Sequence, residues 1–280
     1  MTAPKADPRR VAIVCDDYGL GPDHDAVMRD LASAGRFWGV SCMVDGPDFN
    51  DEAQRLLSAR SAHAFQIGLH VNLTEPIDGP SPVVSPGHLL AQGLRGGSAL
   101  AWVSRSLDRQ WRRFEDAFGS VPDFVDGHRH VHLVPGVARA VADRLQAEGF
   151  TGWVRGGMPD AMLLQTGIAG LKVPLIATLA AFAAPVYAGR GLRLARYLSG
   201  IIRLGDVRTG TEAIARSVRA IRHSGVLMVH PGCATDARQT VGHDPALREA
   251  ETRLIAEGTL ERLLAESGSE RAQTEADFVG

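Results

Sequence analysis

The chain has 280 residues, 45% of them hydrophobic, and a formal net charge of −2, so it can bury a sizeable core and has no overall pull toward nucleic acid. Its three cysteines, Cys15, Cys42 and Cys233, are scattered and odd in number, which argues against a disulfide framework or a structural zinc knuckle and fits a reducing, cytoplasmic setting. The opening MTAPKADPRR lacks the apolar run of a secretory signal, and the most apolar stretch, residues 173–188, is shorter than a membrane span and carries Pro174 and Pro185.

Residues 11–15 read as a fully buried strand, and DHDAVMRDLASAG as a helix closed by Gly35. GVSCMVDG reads as a second strand, DEAQRLLSA as a second helix, and FQIGLHVNLTEP as a third strand broken by Pro76. Residues 77–97, rich in Gly, Pro and Ser, read as a long loop. The segment SALAWVSRSLDRQWRRFEDAFG has the period of an amphipathic helix, DFVDGHRHVHLV reads as a strand, and PGVARAVADRLQAEGF as a helix with Pro135 near its start. TGWVRGG is a further strand, helical segments run to about residue 223, GVLMVHPG is a late strand, and DPALREAETRLIAEGTLERLLAES is a terminal helix or helix pair. Alternating β and α elements with fully apolar strands predict one parallel α/β domain over 1–280, barrel or open sheet, with flexible ends at 1–9 and about 267–280.

The residues that carry chemistry fall at the ends of these strands: Asp16 and Asp17, then His70, then Asp126, His128, His130 and His132, then His230. In parallel α/β folds the carboxyl ends of the strands share one face, so residues distant in sequence converge there. Singly, each has an ordinary structural reading: Asp-Asp as a capped turn, His70 as a bonded interior histidine, His230 as a loop cap. Three imidazoles at 128, 130 and 132, on one face if the chain is extended, are harder to explain that way. The other histidines, His24, His63, His88, His223 and His243, read as surface residues. Carboxylates joined by imidazoles at strand ends have the composition of a mononuclear metal site.

The ordered set CDDYGL, GLHVNLT, DGHRHVH and HPG, followed by the charged DPALREAETRLI, resembles the YdjC/ChbG-like carbohydrate deacetylases, some of which belong to hopanoid-lipid gene sets. The resemblance implies a TIM-like, irregular (β/α) barrel and metal-dependent removal of an acetyl group from an N-acetylated sugar. It implies Asp17, His70 and His128 as metal ligands, Asp16 as general base and His230 as the acid that protonates the leaving amine. Tyr18, Asn72, His130, His132 and Arg155 become candidates for substrate contact or for orienting the ligands. Tyr18 stands where the family more often has Phe, and Gly127 where it has Ser or Ala. One carboxylate with two imidazoles favours zinc, with magnesium as the alternative. The partner implied is a small N-acetylated sugar, with a lipid-linked form, membrane association and a homodimer left open.

Residues 161–205 contain no Asp or Glu but carry Lys172, Arg190, Arg193, Arg196 and Arg203 beside the longest apolar run. Two readings stand: an amphipathic surface against lipid, or a barrel-wall helix with a solvated basic neighbour. Two alternatives to a deacetylase also stand. An amidohydrolase or PHP-type metal hydrolase would draw an HxH pair from its first strand, where this chain has Asp-Asp. A non-catalytic sugar- or lipid-binding relative would be expected to have lost a ligand or the base.

Overall fold

The computed structural model describes residues 7–77, 83–159, 172–201, 210–233 and 245–280. Strand β1 (Arg9–Tyr18) is buried from Val11 onward, as an apolar run covered on both faces must be. It is followed by β2 (Gly39–Cys42), β3 (Gln66–Val71), β4 (Phe124–Gly127), β5 (Trp153–Pro159), β6 (Arg193–Ser199) and β7 (Gly225–Val229). All neighbours in the order β2-β3-β4-β5-β6-β7-β1 pair in parallel, and β1 also pairs with β2, so the seven strands close into a TIM-like barrel.

Helices α1 (Pro22–Ser33), α2 (Phe49–Ala62), α3 (Pro86–Arg95), α4 (Ala101–Phe118), α5 (Pro135–Ala147), α6 (Lys172–Ala188), α7 (Gly210–Arg219), α8 (Pro245–Ala256) and α9 (Thr259–Glu266) complete the elements named here. In α4, Val103, Leu107, Trp111 and Phe114 recur at helical spacing and are buried, the stripe that its sequence period predicts. Helix α3 replaces part of the loop expected over 77–97. Ser85 caps it by accepting the His88 N–H, Pro86 occupies the first turn, and Leu89 is buried, a short stripe hidden among glycines.

The C-terminal stretch expected to be flexible is packed against the barrel. Strand β8 (Ser269–Arg271) pairs with Arg9–Val11 of β1. Phe278 lies edge-on to Trp38 and Trp153, each at 5.4 Å, and Trp153 stacks on Phe124 at 4.6 Å. Both indole N–H groups donate to Gln66 Oε1, and Gly280 exchanges backbone hydrogen bonds with Leu194. Trp38, Gln66, Phe124 and Trp153 sit at the amino ends of their strands, so this segment closes the barrel at the end opposite the chemistry.

Two further sequence expectations change, and one open reading is resolved. The strand expected over 123–134 stops at Gly127. His128–Leu133 then form a tight 3-10 segment in which Arg129 (φ 51°) and His130 (φ 59°) are left-handed, so 128, 130 and 132 are not one extended face. RGLRLARYL is not amphipathic helix: residues 193–199 are β6, with Ala195, Leu198 and Ser199 buried. Arg190 pairs with Asp143 and Arg193 with Glu275. The apolar run is α6, a wall helix with Val173, Ile176, Ala180, Ala183 and Tyr187 inward and Leu175 and Phe182 outward. Residues 161–171 and 202–205 of that segment lie outside the described residues. Among the described residues no helix is long and apolar enough to cross a membrane.

Candidate metal and hydrolase site

Alternation along a strand would send Asp16 and Asp17 to opposite faces. The register of β1 against β2 shifts between Cys15 and Tyr18, and Asp17 adopts φ 70°, a conformation uncommon outside glycine. This bulge re-aims the strand end, and both carboxylates reach partners inside the barrel. Across β3 and β4, His70 and Asp126 are direct register partners. Cys15 is paired with Val229, so Asp16 and His230 follow at the same level of adjacent strands.

Asp17 Oδ1 lies 2.9 Å from His128 Nδ1 and 3.3 Å from His70 Nε2, while its Oδ2 accepts a 2.7 Å hydrogen bond from Arg248 Nη2. On the other side of the His70 ring, Nδ1 meets Asp126 Oδ1 at 2.6 Å, and Ser41 Oγ donates to the same oxygen at 2.5 Å. Asp16 is gripped by Arg155 through two 2.6 Å bonds, and Arg155 also pairs with Asp126 Oδ2 at 2.5 Å. All of these side chains are buried.

The ionisation pattern follows from these contacts. Burial alone would raise Asp17, but the charges and hydrogen bonds of His128, His70 and Arg248 hold it well below the usual carboxylate range. For His70, burial acts downward, yet Asp126 and Asp16 together push the imidazole up to about 10. Burial raises Asp16 against the pull of Arg155, with Asp126 adding to the rise. Burial lowers His132 to about 4, so it is neutral, and its Nε2–H donates to the Arg155 carbonyl at 2.9 Å.

Among the described residues two donor groups converge with all ligand atoms within 4.8 Å: Asp17, His70 and His128, and Asp16, His70 and Asp126. In the second, the Arg155 guanidinium already supplies the positive charge. The first fits a divalent ion. It offers one carboxylate and two imidazoles, and Asp126 holds the far side of His70 as an outer partner orients a metal-ligating histidine; His128 Nε2, buried without a hydrogen bond, lies 3.6 Å from Glu75 Oε2.

Residues 10–266 match the YdjC-like protein family. The chain belongs to the YdjC-like family. It is 37% identical over 154 residues to a carbohydrate deacetylase of Mus musculus, covering 50% of this chain and 48% of that protein, so the match spans about half of the mouse relative. A carbohydrate deacetylase of Homo sapiens is 31% identical over 233 residues, 78% of this chain and 68% of that protein. In fold, the YdjC-like chain resembles a solved Enterococcus faecalis V583 protein described as a candidate cellobiose-phosphate cleavage protein, with TM-score 0.63 at 16% identity over 96% of this chain and 99% of that one.

Of the residues singled out in the sequence, the YdjC-like barrel brings together Asp16, Asp17, His70, His128 and, through Asp16, Arg155. Arg155 is fully buried and paired with the Asp16 and Asp126 carboxylates. Tyr18 is buried with its hydroxyl on the Glu52 carbonyl at 2.7 Å. The Asn72 carboxamide is used by its own turn: Nδ2 donates to the Glu75 carbonyl and Oδ1 accepts from Thr74 and Glu75. His130 is buried in the left-handed turn, and His132 lies under Arg155 with its carbonyl accepting from Tyr187. At Gly127 a Cβ would come within 3.0 Å of His132 Nδ1, so this histidine takes the room a side chain would need.

His24 is buried rather than at the surface, because it shares the inward stripe of α1 with Met28 and Leu31. Its Nδ1 accepts from the Cys233 N–H. His63, His88 and His223 are exposed as expected, and His243 lies outside the described residues. Sequence reasoning missed Ser41, Glu75, whose carboxylate lies 3.6 Å from His128 Nε2, Arg248, and Glu251, whose carboxylate accepts the His230 N–H. For the last two a signal existed: Arg248, Glu251 and Ile255 recur at helical spacing, which places two charges on an apolar stripe.

Proposed function

We propose that this chain is a metal-dependent hydrolase that removes an acetyl group from an N-acetylated sugar. The observation that carries the reading is the convergence of Asp17, His70 and His128 at the carboxyl end of a closed barrel in a YdjC-like chain. The similarity to the mouse and human carbohydrate deacetylases supports the carbohydrate class.

Asp17, His70 and His128 would hold the ion, and the two nitrogen donors favour zinc over magnesium. A bound divalent ion supplies Lewis-acid polarisation of the acetamide carbonyl and a more acidic water. Asp16 takes the proton from the attacking water, and Arg155 fixes the Asp16 carboxylate so that a lone pair stays aimed at that proton. His230 delivers a proton to the departing amine nitrogen. Asp126 keeps His70 oriented. Burial of these side chains limits the access of bulk water to them. Three free cysteines support a reducing, cytoplasmic setting.

The test pairs the metal content of purified protein with acetate release from a panel of N-acetyl sugars and their oligomers. The reading expects one divalent ion per chain, lost in His70→Ala and His128→Ala, and metal-dependent acetate release. Equal metal in wild type and both variants would remove the ligand assignment. No release from any N-acetyl sugar by metal-loaded protein would remove the substrate class.

A further inference from the structure

We propose that one face of α8 is a clamp that fixes Asp17 and the His230 loop relative to each other, which makes Arg248, Glu251 and Thr252 positioning residues of the site. For its activity readout the proposal rests on the hydrolase reading above; its binding and exchange readouts do not.

The three residues stand at i, i+3 and i+4 and share a helix face. Arg248 Nη2 donates to Asp17 Oδ2 at 2.7 Å. The other oxygen, Oδ1, is the one that faces His128 and His70. The guanidinium thus occupies one carboxylate oxygen and turns the remaining one toward the histidines, so Asp17 presents a single ligand atom. One turn further along, the Glu251 carboxylate accepts the His230 N–H. The Thr252 hydroxyl brackets Gly232, accepting from its N–H at 2.9 Å and lying 2.8 Å from its carbonyl oxygen. A Cβ at Gly232 would fall 2.5 Å from His24 Nδ1 and 3.2 Å from Arg248 Cδ, so the loop lies directly on the arginine stem.

The arrangement is specific. β1 and β7 are neighbours, with Asp16 and His230 at one level and Asp17 the next residue of β1. Regular strand pairing fixes neither residue: Asp17 sits in the bulge near the end of β1, and His230 follows the end of β7. A helix that merely covered the barrel would present apolar side chains, because a buried guanidinium and carboxylate are costly to desolvate. Here both are spent on these two strand ends, Arg248 on one and Glu251 on the other.

The test uses full-length Glu251→Leu, Thr252→Val and Arg248→Leu with the conservative partners Glu251→Gln, Thr252→Ser and Arg248→Lys, all checked for folding by thermal melting. Gln and Ser keep the acceptor and the hydroxyl. Glu251→Leu should speed amide exchange at His230, and Thr252→Val at Gly232, at least tenfold. They should lower kcat about 100-fold, the cost of ångström-scale misplacement, with KM and zinc affinity unchanged. The Gln and Ser variants should return to within a few-fold of wild type. Arg248→Leu should weaken zinc binding, measured against a competing chelator, by about 10–100-fold, and Arg248→Lys by less. Folded Thr252→Val with wild-type exchange and kcat, equal losses in the Ser and Val variants, or folded Arg248→Leu with wild-type zinc affinity would overturn the clamp. If Glu251→Leu does not fold, Thr252→Val decides that arm, and if Arg248→Leu does not fold, Arg248→Lys with wild-type zinc affinity overturns its arm. If the wild type releases no acetate, the hydrolase reading fails, while the exchange and zinc measurements still decide this one.

Discussion

Asp16 and Arg155 meet inside the barrel as a doubly hydrogen-bonded pair, Nη1 on Oδ2 and Nη2 on Oδ1, both at 2.6 Å. Arg155 also reaches Asp126, so one buried cation serves two buried carboxylates. A guanidinium suits this because its planar fork serves both without reorienting, which an ammonium cannot do.

Replacing Arg155 with Met should therefore cost stability before it costs chemistry. Two buried carboxylates would be left without their shared partner, and breaking such a pair costs about 3–5 kcal/mol. Urea unfolding of Arg155→Met and Arg155→Lys at neutral pH checks this. Lys should retain part of the stability and lose the alignment of Asp16. A Met variant within about 1 kcal/mol of wild type would show that the pair is not what holds these carboxylates.

The adjacent aspartates should separate by role. Asp16→Asn should keep the metal and lose about 10²–10⁴-fold in acetate release, the usual scale for a missing general base. Asp17→Asn should lose metal and activity together, because Asp17 alone of the two faces both His70 and His128. Elemental analysis beside kinetics decides it, and the reverse pattern of metal loss would exchange the two assignments.

Sequence reasoning placed Asp16, Asp17, His70, Asp126, His128, His130, His132 and His230 at strand ends, and the family resemblance singled out Asp17, His70 and His128 as ligands, three donors that the barrel brings together. Sequence reasoning failed where the cause is tertiary. The fold-back after Gly127 depends on left-handed Arg129 and His130, residue types that give no local warning of it. The barrel plug is written in a polar tail whose single aromatic, Phe278, matters only once Trp38 and Trp153 stand beside it. In the sequence, Arg155 is a candidate for substrate contact or for orienting the ligands, and Arg248 is simply part of a charged helix; only the barrel interior reveals the carboxylate partners of both.

The apolar run of α6 gives a two-sided test of the wall-helix reading against the lipid-facing one. Ile176 is 4% exposed and Phe182 is 62% exposed on the same helix. Ile176→Asp would bury an unpaired charge and should cost on the order of 3 kcal/mol or more, while Phe182→Asp should stay within about 0.5 kcal/mol. A wall helix also expects no co-sedimentation with anionic vesicles. Vesicle binding that Phe182→Asp abolishes would revive the lipid-facing reading.

The pH dependence of stability should carry a signature of His132. Burial first, with the nearby Arg155 charge adding to it, lowers this imidazole from 6.5 to about 4. The unfolded chain therefore binds the proton more readily than the native one. The stability due to neutral His132 is complete above about pH 6.5 and is lost as pH falls toward 4. At ~1.4 kcal/mol per unit, the loss amounts to about 3 kcal/mol across that window. Glu251 works the other way over much of the same range, because burial raises its carboxyl to about 7 and protonation then favours the native state as pH falls. The wild-type curve alone would blend the two. The measurement is therefore a difference: urea midpoints of wild type and His132→Asn from pH 7.5 to 4.5. Asn can still donate to the Arg155 carbonyl but does not titrate. Any advantage of the wild type at pH 7.5 should shrink, or reverse, by about 2–3 kcal/mol at pH 4.5. A gap that stays constant with pH would mean that His132 titrates alike in the folded and unfolded chains, and that its burial under Arg155 has no energetic consequence.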